Sequence, residues 1–228
     1  MSTAMLSGPD RIPTGISGLD SIIQGGLIRG DVHLISGGPG TGKTILASRF
    51  VYNAIRNSNE IAVYATFEES TDFFKRNLAR LGSDFAPLEK EEKIKIIDLE
   101  ILRGKGLESN IAYLLDVVAK AKATILVVDS LTALLLACET QFEQRTFMKT
   151  VYKSLKVKGV TTLMTVSLGE DGRVGPEGFL SDSVMFLENW VDNNQFKTRF
   201  LIQKMRGTDH SRRYHSLSLG PEISISRF

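Results

Sequence analysis

One stretch of the sequence decides the fold class: Val32-His-Leu-Ile-Ser-Gly-Gly-Pro-Gly-Thr-Gly-Lys43-Thr44. Its final part, Gly37–Thr44, fits the pattern G-x-x-x-x-G-K-[ST] of a loop that binds phosphate groups. An apolar run leads into this loop, and a segment with one apolar face leaves it. Because this context is the confirming test of the pattern, we predict a strand, a phosphate-binding loop and a helix in that order.

The spacing of the loop follows from the chemistry of a nucleoside triphosphate. Glycines let the backbone curl so that successive N–H groups point at the β-phosphate, and the positive end of the following helix adds to the attraction. Lys43 would reach the β- and γ-phosphate oxygens, and the Thr44 hydroxyl would ligate magnesium. We therefore predict ATP and Mg²⁺ as ligands. The predicted nucleotide-binding residues of the loop are Gly38, Pro39, Gly40, Thr41, Gly42, Lys43 and Thr44.

A carboxylate that helps to bind the metal is expected at the end of a neighbouring strand. The run Ile125-Leu-Val-Val-Asp129-Ser130 places an aspartate after four apolar residues. Open parallel sheets bind ligands at the carboxyl ends of their strands, so Asp129 would lie near the phosphate loop. An aspartate that merely ends a strand is common, but the presence of a phosphate loop favours the metal role. We predict Thr44 and Asp129 as the magnesium-binding residues.

Hydrolysis also requires a group that orients a water molecule in line with the γ-phosphate. Phe67-Glu68-Glu69 follows the first strand-like run after the phosphate loop and its helix, which would place Glu68 at the carboxyl end of that strand. An acidic pair in this position also serves to cap a helix, and Ser70-Thr71 begins the next helical pattern. From the residues alone both interpretations stay open, and the catalytic one is favoured.

The chain up to residue 166 alternates short apolar runs with longer amphipathic stretches. Strand-like runs lie at 32–36, 61–66, 94–99, 124–129 and 160–166, and helical patterns lie at 44–56, 71–81, 109–122 and 143–158. Runs that are apolar on both faces indicate a mainly parallel sheet with helices on both sides. His33, inside the first run, is expected to be a half-buried polar residue.

The remaining segments have little helical pattern between them. They lie at 183–190, 196–205, 214–219 and 223–226, and we predict that they extend one edge of the sheet as antiparallel strands. The expected fold is the α/β fold of a P-loop nucleotide-binding protein. We expect one domain over residues 11–228 after a disordered segment at 1–10, since no linker divides the chain.

The composition indicates the cellular compartment of the protein but does not identify a binding partner. With 28 Lys and Arg against 26 Asp and Glu, the net charge of +2 neither indicates nor excludes nucleic acid. The single cysteine, Cys138, has apolar neighbours that predict a small buried residue, and the lack of disulfides suits a reducing compartment. No signal peptide pattern opens the chain, and Asp129 and Ser130 interrupt its most apolar stretch. We expect a cytoplasmic protein without membrane contact.

Several motifs together resemble the ATPases of the RecA superfamily, and among these the KaiC-like group. Besides the phosphate loop, the motifs are Thr14-Gly-Ile-Ser-Gly-Leu-Asp20, Gly25-Gly26-Leu27 with Gly30, Phe67-Glu68-Glu69, Val127-Val-Asp129-Ser130-Leu-Thr and Lys204-Met-Arg206-Gly-Thr208-Asp-His210. They occur in the family's order, and the last separates this group from most other P-loop proteins. The resemblance covers about residues 11 to 219, corresponds to one KaiC domain rather than the tandem pair, and implies a RecA-like fold.

The resemblance implies roles for residues at two places in the chain. Glu68 would position the attacking water, with Glu69 assisting it. Lys204 and Arg206 would reach the γ-phosphate of ATP held by a neighbouring subunit, where cations stabilise the charge of the transition state. Composition alone would instead favour a solvent-exposed edge strand for these two residues. The implied catalytic residues are Lys43, Glu68, Glu69, Lys204 and Arg206, and Thr208 and His210 would bind nucleotide at the same shared site.

A homo-oligomer with ATP at its subunit interfaces also follows from the resemblance. A ring of six is favoured, although recombinase-like filaments use similar contacts.

This chain departs from the family pattern at two positions. Family members often carry an acidic or amide residue where this chain has Ser167-Leu168, a position that helps to couple nucleotide state to partner binding. In the circadian-clock ATPase for which the group is named, a Ser-Thr pair is phosphorylated where this chain has Gly178-Phe179. Ser181 and Ser183 lie at other positions, so we expect no clock-type self-phosphorylation.

Two other functions fit the same motifs. One is a nucleotide-dependent, DNA-binding recombinase paralogue, because the C-terminal region is basic and Phe179 and Phe196 offer aromatic rings. The basic residues are Lys197, Arg199, Lys204, Arg206, His210, Arg212 and Arg213. The other is a regulatory scaffold that binds ATP and turns it over very slowly. ATP hydrolysis is favoured because part of the basic charge would serve ATP and the rest would be solvated.

Overall fold

The structure is a computed structural model that describes residues 8–67, 70–99, 107–169 and 172–228. Two short strands, β1 (Arg11–Ile12) and β2 (Leu27–Ile28), pair near the N-terminus. The strands of the main sheet are β3 (Val32–Gly37), β4 (Ala62–Thr66), β5 (Ile94–Asp98), β6 (Ile125–Asp129), β7 (Thr161–Ser167), β8 (Ser183–Asp192), β9 (Gln195–Met205), β10 (His215–Ser218) and β11 (Ser224–Arg227). The helices are α1 (Leu19–Ile22), α2 (Lys43–Ser58), α3 (Thr71–Arg80), α4 (Ala86–Lys90), α5 (Leu107–Lys120), α6 (Leu131–Leu135), α7 (Gln141–Lys158) and α8 (Glu177–Leu180).

The main sheet is largely parallel. Within the described residues its strand order is β11–β10–β9–β8–β3–β7–β6–β4–β5. The strands from β8 to β5 in this order are parallel to their neighbours, whereas β9, β10 and β11 pair antiparallel. The α/β fold with antiparallel C-terminal strands is therefore confirmed.

One part of the strand prediction was wrong, because β8 is not an antiparallel extension of the sheet. It pairs parallel with β3, and only its other side pairs antiparallel, with β9. The connection after β7, which includes α8, returns the chain to the end of the sheet where β3 begins. The next strand consequently runs in the same direction as β3, and the antiparallel region starts one strand later than predicted.

Both faces of the sheet are buried, as the apolar runs indicated. In β4, Ala62 and Tyr64 face a core that includes residues of α2, α3 and α4, while Val63 and Ala65 face a second core with residues of α5, α6 and α7. Successive side chains of a strand point to opposite faces, so a strand covered on both sides must be apolar throughout. This is why the sheet strands could be recognised as continuous apolar runs.

The long helices follow local signals in the sequence. At the start of α7, the Thr140 hydroxyl oxygen accepts a hydrogen bond from the Glu143 backbone N–H, and the Glu143 carboxylate accepts one from the Thr140 backbone N–H. Gly159 ends this helix with φ of 65°, a conformation that glycine adopts without strain. The short helices α1, α4, α6 and α8 were not predicted, because four or five residues are too few to show a helical period. Within the described segments, none of the helices combines the length and the apolar character that a membrane span needs.

Two expectations about individual side chains were wrong. His33 is buried completely rather than half-buried, and its Nδ1 lies 2.7 Å from Ser183 Oγ on the neighbouring strand. Burial lowers the pKa of His33 to about 4. Cys138 is half-buried rather than buried, because it follows the end of α6 at the surface. Of the segment expected to be disordered, residues 1–7 lie outside the described part, and Asp10 forms an ion pair of 2.9 Å with Arg29.

The strand directions give the sheet two chemically different ends. The end where β3 runs into the phosphate loop is called the phosphate-loop end, and β4, β6 and β7 finish there as well. The end where these strands begin is called the opposite end. The antiparallel strand β9 finishes at the opposite end, since its last residue, Met205, pairs with Ser183 at the start of β8.

Candidate nucleotide-binding site

The phosphate loop is curled around its own lysine. Lys43 Nζ donates hydrogen bonds of 2.9 Å to the carbonyl oxygens of both Gly37 and Gly38. The buried Thr41 side chain donates another to the Gly38 carbonyl, at 2.9 Å, which closes the loop from inside. These contacts hold the loop carbonyls away from the position where a phosphate would meet the N–H groups. The predicted loop therefore has the curled shape that phosphate binding requires.

At Gly42, a residue with a side chain would require the loop to rearrange. Its φ of +88° is one that L side chains rarely adopt. A Cβ atom added there would also lie 2.4 Å from Leu219 Cδ1. Leu219 follows β10, so a C-terminal side chain packs directly behind the phosphate loop. Gly42 forms the N-cap of α2, whose first residue is Lys43.

Most of the predicted phosphate and metal ligands line one cavity at the phosphate-loop end, whereas Gly38 and Thr41 do not line it. Its volume is about 470 Å³. The lining residues are Pro39, Gly40, Gly42, Lys43, Thr44, Ile45, Asp129, Ser130 and Ser167. The structure thus brings Lys43, Thr44 and Asp129 together from two separate segments of the chain. Ser167, at the position where the resemblance implies an acidic or amide residue, lies in the same cavity.

Asp129 is held by two hydroxyl groups that the sequence did not reveal as part of the site. It is 8% exposed and ends β6, between β4 and β7. The Tyr64 hydroxyl of β4 donates to Asp129 Oδ2 at 2.8 Å, and the Thr165 hydroxyl of β7 donates to Oδ1. Both residues sit inside apolar strand runs, where a tyrosine or threonine is ordinary. The signal that could have identified them is the sheet order, which a single sequence does not contain.

The residues of this cavity fit a magnesium ion bound together with a nucleotide. Mg²⁺ prefers hard oxygen ligands and is commonly bound by one or two carboxylates plus substrate phosphates. The Thr44 hydroxyl and the Asp129 carboxylate are such ligands, and both line the cavity beside Lys43. The buried aspartate is hydrogen-bonded on both oxygens, so it has the fixed orientation of a ligand rather than of a mobile surface group.

The predicted water-positioning residues, Glu68 and Glu69, lie outside the described residues. The chain reaches them from Phe67, which is buried and donates its backbone N–H to the Asp129 carbonyl at 3.0 Å. This hydrogen bond keeps the chain at the phosphate-loop end immediately before Glu68. The roles of Glu68 and Glu69 stay predictions.

The predicted cations Lys204 and Arg206 lie at the opposite end of the sheet. Lys204 is close to the end of β9, and Arg206 follows that strand. Met205 pairs with Ser183, whereas Gly37 of the phosphate loop pairs with Leu187 of the same strand β8. Four residues of a strand correspond to about 13 Å along its axis. The structure therefore does not bring these cations to the phosphate loop of their own chain.

Both cations are held by the C-terminal end of α8 and the residues after it. Lys204 Nζ donates to the carbonyl oxygens of Gly178 at 2.9 Å and Phe179 at 3.1 Å, and also to that of Ser181. Arg206 donates to the same Phe179 carbonyl at 3.2 Å, so the two side chains lie on one side. Burial, together with the neighbouring Arg206 charge, lowers the pKa of Lys204.

Thr208 and His210 also lie at the opposite end, near the N-terminal segment. Thr208 Oγ1 accepts a hydrogen bond of 2.9 Å from the Arg11 guanidinium. His210 lines a second cavity of about 590 Å³ that α1 and the segment around β10 share. Neither residue lines the phosphate-loop cavity of the same chain.

The basic C-terminal region is partly neutralised by acidic neighbours within the sheet. Lys197 forms an ion pair of 2.7 Å with Asp192, and Arg199 forms one of 2.8 Å with Glu188. The Arg199 guanidinium also lies 4.1 Å from the centre of the Tyr214 ring. Lys197 and Arg199, two of the seven basic residues that suggested a DNA-binding surface, are therefore already engaged in ion pairs inside the chain.

Comparison with known proteins agrees with this geometry. The chain matches the model of the KaiC ATPase family over residues 12–226. The circadian clock oscillator protein KaiC of Parasynechococcus marenigrum (strain WH8102) is 33% identical over 227 residues, covering 94% of this chain and 44% of that protein. The KaiC of Thermostichus vulcanus is 33% identical over 226 residues, again covering 94% and 44%. The crystal structure of KaiC-like protein PH0186 from Pyrococcus horikoshii OT3 matches with a TM-score of 0.86 and 34% identity, covering 95% of this chain and 99% of that chain.

These matches differ in how much of each relative they cover. The chain spans 44% of the length of the two clock proteins, which corresponds to one of their domains, but it matches PH0186 along almost its whole length. The family match extends over most of the chain, and its fold agrees with that of the solved relative. The chain therefore belongs to the KaiC ATPase family and has the RecA-type fold of that family.

Proposed function

We propose that this protein binds ATP with Mg²⁺ in the phosphate-loop cavity and hydrolyses it as an oligomer. Residues 11–228 would act as one ATPase domain. The observation that carries the proposal is the shared cavity of Lys43, Thr44 and Asp129. Lys43 would neutralise the β- and γ-phosphates, Thr44 and Asp129 would hold the metal, and Glu68 would orient the attacking water with help from Glu69.

The positions of Lys204 and Arg206 support an ATP site that is completed by a second copy of the chain. Phosphoryl transfer places negative charge on the γ-phosphate oxygens, and a cation supplied there can raise the rate by about 10³. The two cations lie at the end of the sheet away from their own phosphate loop. A neighbouring copy that presents its opposite end to this phosphate loop would supply them, with Thr208 and His210 nearby.

Contact between two different ends of a molecule determines the kind of assembly. Such a head-to-tail interface closes into a ring or continues as a filament, because each copy contacts one neighbour with its opposite end and another with its phosphate-loop end. The similarity to KaiC favours a ring of six over a filament. Arg206 suits the role of donor, because its side chain is 53% exposed in the isolated chain.

Mixing two inactive variants tests the shared site. Arg206→Ala keeps an intact phosphate loop, and Lys43→Ala keeps an intact Arg206, so mixed assemblies contain some sites made entirely of intact parts. We expect each variant alone to be nearly inactive and the mixture to recover a fraction of the wild-type phosphate release. Activity of a wild-type sample that is monomeric by light scattering, without recovery on mixing, would contradict the proposal.

Two alternatives have weaker support. DNA binding would need exposed basic side chains, yet Lys197 and Arg199 are paired with acidic residues of the same hairpin. Clock-type self-phosphorylation would need an accessible hydroxyl group near α8, but Ser181 and Ser183 are 2% and 0% exposed. A regulatory scaffold uses the same ATP site, and the rate of phosphate release distinguishes it from a faster ATPase.

A further inference from the structure

Asp129 lies between two hydroxyl-bearing side chains of the neighbouring strands. Tyr64 approaches from β4 and donates to Oδ2 at 2.8 Å, and Thr165 approaches from β7 and donates to Oδ1. An ionised carboxylate can only accept hydrogen bonds, so both hydroxyl protons point at Asp129. Each carboxylate oxygen is thereby fixed by a separate strand of the sheet.

Both hydroxyl groups belong to side chains with no solvent exposure. Tyr64 and Thr165 are each 0% exposed, and Asp129 is 8% exposed at the wall of the phosphate-loop cavity. A buried hydroxyl that lacks a partner is unfavourable, so these donors hold their hydrogen bonds to the carboxylate firmly. With one donor on each oxygen, rotation of the carboxylate about its Cβ–Cγ bond would break both hydrogen bonds.

We propose that Tyr64 and Thr165 are positioning residues that fix Asp129 for magnesium binding. Each of the two hydrogen bonds uses one lone pair of a carboxylate oxygen, and the other lone pairs of Asp129 would be left for the metal or its water ligands. This inference rests on the proposed function, because it concerns the metal of the Mg–ATP complex. Neither residue lines the phosphate-loop cavity, so their effect would pass through Asp129.

The two residues offer substitutions that change little besides the hydroxyl group. The Tyr64 ring packs against Phe74 with 4.7 Å between the ring centres, and Tyr64→Phe retains this ring. Thr165→Val keeps the branched shape that fits β7. A matched control is Tyr52→Phe, since the Tyr52 ring packs against the same core but its partner there is Phe85, 5.8 Å away.

The test measures binding of a fluorescent ATP analogue at increasing Mg²⁺ concentration and in EDTA. Changes to groups that orient a metal ligand typically cost 10- to 100-fold in metal affinity. We expect Tyr64→Phe and Thr165→Val each to weaken the Mg²⁺ dependence of binding by about tenfold. Both should bind the analogue like wild type in EDTA, and Tyr52→Phe should match wild type throughout. A general loss of folding would instead weaken binding with and without the metal.

The outcomes separate this inference from the function on which it rests. If wild-type protein binds the analogue equally with Mg²⁺ and with EDTA, or if Asp129→Asn does not change the Mg²⁺ dependence, the proposed metal site itself is wrong. If wild type depends on Mg²⁺ through Asp129 and folded Tyr64→Phe and Thr165→Val proteins keep that dependence, the positioning role is overturned. Should one variant fail to fold, the other decides between these results.

Discussion

The charged groups at the two ends of the sheet differ in what surrounds them. At the phosphate-loop end, Lys43 and Asp129 line a cavity, and each is held by groups of the same chain that leave it facing this cavity. At the opposite end, Lys204 and Arg206 donate to backbone carbonyls around α8, away from that cavity. The first end is organised to receive a ligand by itself. At the second end the cations lie away from this cavity, and under the proposed function their use in catalysis would require another copy.

This difference explains why the role of the phosphate-loop end could be predicted from local sequence and the role of the opposite end could not. A phosphate loop is local, so its chemistry can be derived from a short motif and its flanking segments. The function of Lys204 and Arg206, at the end of β9, cannot be derived from their flanking segments. The ATP that they are proposed to contact is bound by another copy of the chain. Three predictions probe this contrast, beginning with the largest effect.

Removal of the Lys43 charge should disable the phosphate-loop end alone. We expect Lys43→Ala to abolish measurable ATP binding, because the loop then lacks the cation that bridges the β- and γ-phosphates. Isothermal titration with ATP and Mg²⁺ measures this loss. Lys153→Ala, which removes an exposed lysine of α7, should bind ATP like wild type. Near-normal affinity of folded Lys43→Ala protein would remove the basis of the proposed site.

A substitution of Glu68 can separate ATP binding from ATP hydrolysis at the phosphate-loop end. We expect Glu68→Gln to retain Mg–ATP binding but to release phosphate on the order of 10² more slowly, because glutamine keeps the size of the side chain and loses its basicity. Glu69→Gln should have a smaller effect, and Glu91→Gln, at an exposed position after α4, should have none. Full activity of both Glu68→Gln and Glu69→Gln would show instead that this pair only caps α3.

The smallest expected effect concerns the stability of β3, the strand that joins the two ends. Buried His33 has its pKa lowered to about 4, so folded protein keeps this side chain neutral while the unfolded chain takes up a proton below its ordinary pKa of 6.5. Between these values the unfolded state binds more protons, and stability therefore falls as the pH falls. From pH 7 to pH 5 the loss due to His33 is about 2 kcal/mol.

Urea unfolding at the two pH values measures this contribution. His33→Gln lacks the titrating ring, so its free energy of unfolding should fall by about 2 kcal/mol less than that of wild type over the same interval. Other titrating groups act in both proteins and cancel in the difference. Equal pH dependence of the two proteins would mean that the His33 ring becomes protonated inside the fold.

Much of the sheet and half of the candidate site could be predicted from the sequence. Continuous apolar runs identified the strands, and Asp129 was located because it ends one of them. The direction of β8 was not predictable in the same way, because it depends on where the preceding connection leads. Tyr64 and Thr165 escaped prediction because their contact with Asp129 depends on the order β7–β6–β4. Sheet order arises from packing between distant segments and leaves no trace in local composition.

The placement of donor and recipient groups at opposite ends of the sheet has a numerical consequence. A copy in a closed ring gives its cations to one neighbour and receives those of another, so a ring of any size has as many complete sites as subunits. An open chain always has one terminal copy whose phosphate loop faces solvent. Specific activity per subunit would therefore rise gradually with filament length but would reach its maximum in one step when a ring closes. Activity measured against the fraction of each assembly size can thus distinguish the two architectures without an image of either.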